Sequence, residues 1–197
     1  MRVLTRAAVV AASVVALTAT EASAAVYTPV TNPSFLQPYV DPVGADAFLR
    51  INLDSNAIPG WRVFKGNVDV YGRAAAKTTN GSQAVDLNGD TPGGIEQAIP
   101  TDPGADFRVF FRVRVNDHPF CVANAKGVLQ QVRVGFAGAF VRTTIDVAAA
   151  DDPGPFRNWA QVNVTLTALE PISRLQFSSD VPGACGALIT DIRVVQA

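Results

Sequence analysis

The sequence predicts an all-β fold, a single β-sandwich running from about residue 25 to the C-terminus, and three observations carry that reading. Turn residues are spread along the whole chain: 13 prolines and 15 glycines in 197 residues break it at short intervals. Between the breaks, apolar residues recur with a period of two, the mark of half-buried strands whose side chains alternate between core and solvent. Past the first two dozen residues no stretch carries helical periodicity, an internal repeat, a heptad pattern or a low-complexity linker.

The chain opens with two arginines within Met1 to Arg6, an almost wholly apolar run from Ala7 to Ala19, and the small-x-small pattern Ala22-Ser23-Ala24. That is the layout of a secretory signal peptide, and it places residues 1–24 in the leader and residues 25–197 in one domain. Removing the leader leaves fourteen basic against sixteen acidic side chains, a balance unsuited to a polybasic nucleic-acid binder. No later apolar run approaches the roughly 20 residues of a membrane span. With 48% hydrophobic and 17% charged residues the chain is not of the disordered class. The expected location is secreted or extracellular, at a cell surface or in a periplasm.

The first strand-like runs are 48–53, 61–64, 68–71, 83–87 and 94–99. The strongest is 107–115, where Phe107, Val109, Phe111, Val113 and Val115 alternate with Arg108, Phe110, Arg112 and Arg114. Runs at 129–136 and 140–147 follow. In 161–168, Val162, Val164, Leu166 and Ala168 alternate with Gln161, Asn163, Thr165 and Thr167. The last two runs are 172–177 and 188–195. About eleven short strands at such spacing suit a sandwich.

Cys121 and Cys185 are the only cysteines. In a chain routed to an oxidising compartment they are expected to pair, and neither has a CxxC motif or a nearby histidine that would suggest metal or redox chemistry. Closing a loop of about 65 residues is worth roughly 4 kcal/mol in the chain-entropy model.

The residues give little sign of catalysis. His118 is the one histidine, before Pro119 in a loop with no serine or cysteine nucleophile motif, and reads as an exposed loop residue. Past the leader there are only two glutamates, Glu96 and Glu170, and the aspartates fall mostly in turn contexts such as Asp102-Pro103-Gly104, so no carboxylate pair for glycoside hydrolysis stands out. The protein is read as a non-enzyme. Asp86-Leu87-Asn88-Gly89-Asp90 offers oxygen ligands suited to a hard cation but lacks a closing glutamate, and a strand-ending turn accounts for the same residues. Trp61 and Trp159 are able to stack on sugars, although both stand at strand starts where core or rim packing explains them.

The polar side of the strongest strand carries Arg108, Phe110, Arg112 and Arg114. If the next two strands pair with it, Arg133, Phe140 and Arg142 have the matching parity. Arg108, Phe110, Arg112, Arg133, Phe140 and Arg142 then form a candidate ligand face for an acidic polysaccharide, through bidentate guanidinium–carboxylate contacts. A solvated face with ordinary ion pairs is the other account of the same residues.

Several blocks follow a familiar order: Asn32-Pro33-Ser34-Phe35, Ile58-Pro59-Gly60-Trp61, Asn67-Val68-Asp69-Val70, Gly81 through Gly89, Pro92-Gly93-Gly94-Ile95-Glu96-Gln97, Asn158-Trp159 and Leu188-Ile189-Thr190-Asp191-Ile192. Together they resemble the bacterial choice-of-anchor C family, itself similar to plant cell-wall proteins built from galactose-binding-like modules of a domain of unknown function. The resemblance covers nearly the whole chain after the leader. It implies a jelly-roll sandwich of the galactose-binding-like type, secreted and associated with polysaccharide or a cell envelope. It also implies a calcium ion joining the first and last strands. Asp191 matches the C-terminal ligand position, but Leu36 replaces the expected N-terminal acid, so a weak structural calcium site or none is expected, and no other cofactor. The name refers to variable C-terminal anchors. This sequence stops at Ala197 just after its last strand, with no sorting motif, so free secretion is expected. Two function classes remain: a binding module for a cell-wall or matrix polysaccharide, and a structural or adhesive domain that recognises another protein without a sugar site.

Overall fold

A computed structural model describes residues 27–40, 47–138, 142–152 and 154–197. The expected leader, residues 1–24, lies outside them. In chain order the strands are β1 (Tyr27–Thr28), β2 (Phe48–Asn52), β3 (Arg62–Lys65), β4 (Asn67–Tyr71), β5 (Ala84–Asp86), β6 (Gly94–Pro100), β7 (Asp106–Arg114), β8 (Leu129–Phe136), β9 (Arg142–Ala149), β10 (Ala160–Thr167), β11 (Ile172–Ser178) and β12 (Leu188–Gln196). Helix α1 (Arg73–Ala76) follows β4, and α2 (Pro119–Asn124) follows β7. Among the described residues no helix is long and apolar enough to cross a membrane.

The strands form two antiparallel sheets. One has the order β10-β7-β12-β5-β4-β2, with β1 pairing β12, and the other has the order β3-β6-β11-β8-β9. Within them, β5, β12, β7 and β10 adjoin in the first sheet, and β6, β11, β8 and β9 in the second. From β5 onward most connections therefore cross from one sheet to the other. Four adjoining strands in each sheet, wound in this way, form a jelly roll, as expected, and the seven- and five-stranded sheets extend it.

The alternation read from sequence places the core. Phe107, Val109, Phe111 and Val113 of β7 and Val132, Val134 and Phe136 of β8 point inward and are fully buried. Phe111 meets Phe177 edge-on at 5.1 Å, and Phe107 meets Phe136 at 6.0 Å. Burying each such side chain contributes about 1.5–3 kcal/mol. Trp61 belongs to this core: its ring packs on Phe35 at 5.7 Å and its Nε1 donates to the Thr31 carbonyl at 3.0 Å. Trp159 lies at the rim, donating to the Ala76 carbonyl at 3.1 Å.

The predicted strands recur, with ends displaced by a residue or so. The start of the 140–147 run lies partly outside the described residues. The expectation of no helix beyond the leader is corrected by α1 and α2. Both are too short to show a 3.6-residue period, which is why the pattern did not reveal them. Helix α1 runs through three alanines and stops at Lys77, whose φ of 54° turns the chain out of the helix. Helix α2 begins with proline at its first position, and the His118 side chain caps it by accepting from the Phe120 amide at 3.2 Å.

Candidate functional site

The six-residue arginine face does not exist as one surface. Arg108, Phe110 and Arg112 share the outward side of β7, but the neighbours of β7 are β10 and β12. Arg133 stands on β8 in the opposite sheet, where it pairs with Asp180. Phe140 and the side chain of Arg142 lie outside the described residues, and the backbone of Arg142 belongs to β9, again in the second sheet. Arg108, Phe110, Arg112 and Arg133 do stand at outward positions of their strands. The error was to let consecutive strands pair, when a jelly roll sends β7 and β8 to different layers. Nor is Arg114 a surface group: it is buried, donating to the Arg157 carbonyl at 2.9 Å and to Asp117 at 2.6 Å.

A concave site occurs on the outward face of the first sheet, over β2, β4 and β5. Cross-strand register aligns two rows there. Phe48 stands opposite Tyr71, and one pleat away Arg50 stands opposite Asp69, which stands opposite Asp86. Val68, Val70 and Val85 point the other way into the core, so the same alternation that buries the valines delivers an aromatic row and a charged row to one surface. Phe48 and Tyr71 stack with ring centroids 5.5 Å apart and planes 24° apart. The cleft has a volume of about 250 Å³.

Helix α2 and the chain before β12 form the opposite wall. His118 meets Tyr71 edge-on at 6.2 Å, and Phe120 stands beside it, 55% exposed. His118 is thus half-buried against the cleft, a correction to its reading as an exposed loop residue. The wall is fastened by the Cys121–Cys185 disulfide, with Cα atoms 5.5 Å apart, and both cysteines line the cleft. The pairing expected from sequence is the one present, and it joins helix α2, where a loop was expected, to the turn before β12.

The polar lining is held by the fold. Arg50 clamps Asp69 bidentately, with Nε and one terminal nitrogen each 2.8 Å from a carboxylate oxygen, while its other terminal nitrogen reaches Asp90. This contact with Asp69 is the main reason that the Arg50 guanidinium is held even more firmly in its charged form. Asp86 is wholly buried and accepts three hydrogen bonds at 2.7 Å: from the amides of Asn88 and Gly186 and from the Asn116 side chain. Burial nevertheless pushes its carboxyl well above the usual range, and the charge of Asp69 adds to the shift. The Tyr71 hydroxyl is also pushed up, first by burial and then by Asp86.

The Asp86–Asp90 segment is built as a turn that closes a strand. Asn88 Nδ2 donates to the carbonyls of Val181 and Gly183, and Asn67 Oδ1 accepts from the Asp90 amide. Asp191 lies elsewhere, at a bulge in β12 with φ 54°. It accepts from Ser82 Oγ at 2.6 Å, Ser34 Oγ at 2.7 Å and Asn80 Nδ2 at 2.7 Å, with an Arg112 nitrogen at 3.5 Å. Partial burial raises its pKa, but these donors outweigh that and hold it below the usual carboxylate range. Three donors and a guanidinium around one carboxylate fit a clamp on the Ser34 segment.

The sequence groups Asp86, Asn88 and Asp90 as a turn or cation cluster but does not join them to Phe48, Arg50, Asp69 and Tyr71. The available signal was parity: Phe48 and Arg50, Asp69 and Tyr71, and Asp86 all stand at outward positions of runs already recognised as strands.

No protein-family model matches the chain. Among curated proteins, halomucin of Haloquadratum walsbyi is 29% identical over 172 residues, which is 85% of this chain and 2% of halomucin. The chain thus spans a small fraction of that relative. Similar solved structures include a CBM4 protein at TM-score 0.48 and 14% identity, covering 86% of this chain and 100% of that one. A family 35 carbohydrate-binding module from Clostridium thermocellum has TM-score 0.46 and 12% identity, covering 75% and 97%. TmCBM61, solved with β-1,4-galactotriose, has TM-score 0.42 and 17% identity, covering 85% and 97%.

Proposed function

We propose that this protein is a secreted, non-catalytic module that binds a cell-wall or matrix polysaccharide in the cleft over β2, β4 and β5. The observation that carries this reading is the stacked Phe48–Tyr71 pair set one pleat from a fixed row of charged groups. A pyranose ring presents an apolar face of C–H groups and an equatorial rim of hydroxyls. An aromatic row beside fixed acceptors answers both, and the pocket chemistry of small polar ligands has the same composition. The acidic-polymer preference loses its footing with the arginine face, whereas the binding-module reading moves to a different surface of the same sheet. That surface also favours a sugar site over a purely protein-adhesive role.

The carboxylates support binding rather than hydrolysis. A general acid must reach the glycosidic oxygen. Asp69 is spent on Arg50, and Asp86 is buried with three hydrogen bonds already made. Export with cleavage after Ala24 belongs to this reading, and the disulfide supports it, because such bonds persist in oxidising compartments. Intact mass of the secreted protein should place its first residue at Ala25. The resemblance to the choice-of-anchor C family points the same way.

The test is retention on a panel of insoluble neutral and acidic polysaccharides at two salt concentrations, for the wild type and Phe48→Ala. Phe48 is 44% exposed, so its truncation leaves the core intact. At least one polysaccharide should retain the wild type, and Phe48→Ala should weaken that retention roughly tenfold, the order expected for one stacked aromatic. Retention unaffected by the substitution would move the site elsewhere, and no retention on any polymer would favour the protein-adhesive reading.

A further inference from the structure

The charge inventory of the cleft says what kind of sugar it takes. Three carboxylates, Asp69, Asp86 and Asp90, line it together with one guanidinium, Arg50, and the imidazole of His118 at the opposite wall. All three nitrogens of Arg50 already point at carboxylates: two at Asp69 and one at Asp90. The fork that would otherwise clasp an anionic ligand is therefore filled from within the protein. Asn88, which also lines the cleft, is 1% exposed. Its Nδ2 is committed to two backbone carbonyls, which fixes the orientation of the amide, and its Oδ1 has no donor among the described residues. The lining thus carries more carboxylate than guanidinium, and its guanidinium is already engaged.

We propose that the cleft selects donor-rich sugars, amino sugars with a protonated amine above all, and rejects uronic acids. The inference rests on the reading of the cleft as the glycan site and deepens it to a substrate class. An ammonium carries donors only, and its positive charge offsets the excess of carboxylate in a partly desolvated site. A uronate brings a fourth carboxylate to a place where no guanidinium is spare, so it meets like charge and leaves its own oxygens poorly paired. Neutral hydroxyl-rich sugars fall between the two. The ranking does not depend on Asp86 being ionised. With Asp86 neutral, the carboxylates of Asp69 and Asp90 still share the one guanidinium.

The experiment is calorimetric titration of the full secreted domain, at low salt and mildly acidic pH, with matched oligomers of glucosamine, N-acetylglucosamine and galacturonate. The wild type should bind the glucosamine oligomer about two- to fivefold more tightly than the acetylated one, the range for an exposed charge pair, and should bind galacturonate most weakly. Asp90 is exposed, and Asp90→Asn keeps a side-chain oxygen for Arg50 while removing one charge. In that variant the ratio of glucosamine to N-acetylglucosamine affinity should fall by roughly two- to fivefold. Equal affinity for the two oligomers, a ratio unchanged in Asp90→Asn, or preferred binding of galacturonate would each overturn the amine selection. Phe48→Ala separates the two claims. If binding is sensitive to Phe48 but shows no preference for the amine, the cleft remains the glycan site and the substrate class is wrong. If binding ignores Phe48, the site assignment itself fails.

Discussion

Replacing Asp191 with asparagine should loosen the attachment of the N-terminal segment to the last strand. Asparagine tolerates the positive φ of 54° at this position, so the change tests the charge and not the backbone. The carboxylate accepts from Ser34, Ser82 and Asn80 at 2.6–2.7 Å and stands 3.5 Å from Arg112. A hydrogen bond to a charged group is worth about 1.5–3 kcal/mol, and asparagine keeps one acceptor while offering a donor to neighbours that donate. Losing one bond outright and weakening the others should cost about 2–4 kcal/mol. For a domain of this length that lowers the melting temperature by about 4–16 °C. The pH dependence has a definite sign. The folded pKa of Asp191 lies below its unfolded value, so its stabilisation is complete above the unfolded value, near 3.9, and is lost as pH falls through the folded one. The gap between wild type and Asp191→Asn should hold steady at neutral pH and close below about pH 4. The opposite contribution of Asp86, whose pKa is raised, is present in both proteins and cancels in the difference. Scanning calorimetry from neutral to acidic pH measures this, and micromolar calcium should leave both melting temperatures unchanged. A difference under 1 °C, or one that persists undiminished in acid, would refute the clamp; a strong calcium shift lost in Asp191→Asn would show that the carboxylate is a metal ligand instead.

The remaining predictions concern how the cleft wall and core are held. Reducing the Cys121–Cys185 bridge frees a loop with ends 64 residues apart, which should cost roughly 4 kcal/mol and weaken glycan retention together with stability. Reduced protein that melts and binds as before would show that the wall needs no fastening. Gly186→Ala puts a Cβ 2.5 Å from Asn88 Oδ1 and 2.7 Å from Asp86 Oδ1, so the turn must shift, costing about 1–3 kcal/mol and reducing glycan binding. Chemical denaturation checks this, and an unchanged midpoint would mean that the turn yields freely. Trp61→Ala should cost about 3–5 kcal/mol, because the ring is buried and its Nε1 is bonded; recovery of a well-folded variant with near-native stability would contradict its place in the core.

Much of the fold was legible because burial on one face writes a two-residue period into a strand. The rows Phe107 to Val113 and Val162 to Leu166 show this directly. The pairing of strands left no such mark. Nothing in the spacing of β7 and β8 says that the chain crosses to the other sheet between them, so Arg133 was placed beside Arg112 when it belongs to the far layer. The disulfide was legible from two cysteines behind a leader-like N-terminus. The cleft was hidden for a different reason. Asp69 and Asp86 are separated by 17 positions and belong together only because β4 and β5 are adjacent and in register. Burial under α2, itself too short to announce its period, then makes those outward residues an enclosed lining in place of a solvated face.

The central claim is that a glycan occupies the cleft over β2, β4 and β5, and a backbone amide titration by nuclear magnetic resonance tests it most directly. Isotope-labelled protein is titrated with the oligosaccharide that retention and calorimetry identify as the tightest. The account predicts shifts concentrated at Phe48 and Arg50, Asp69 and Tyr71, Asp86 to Asp90, and His118 to Cys121, with those of Arg108, Phe110, Arg112 and Arg133 little changed. Shifts centred on the arginines of β7 or β8, with the cleft amides unmoved, would contradict it.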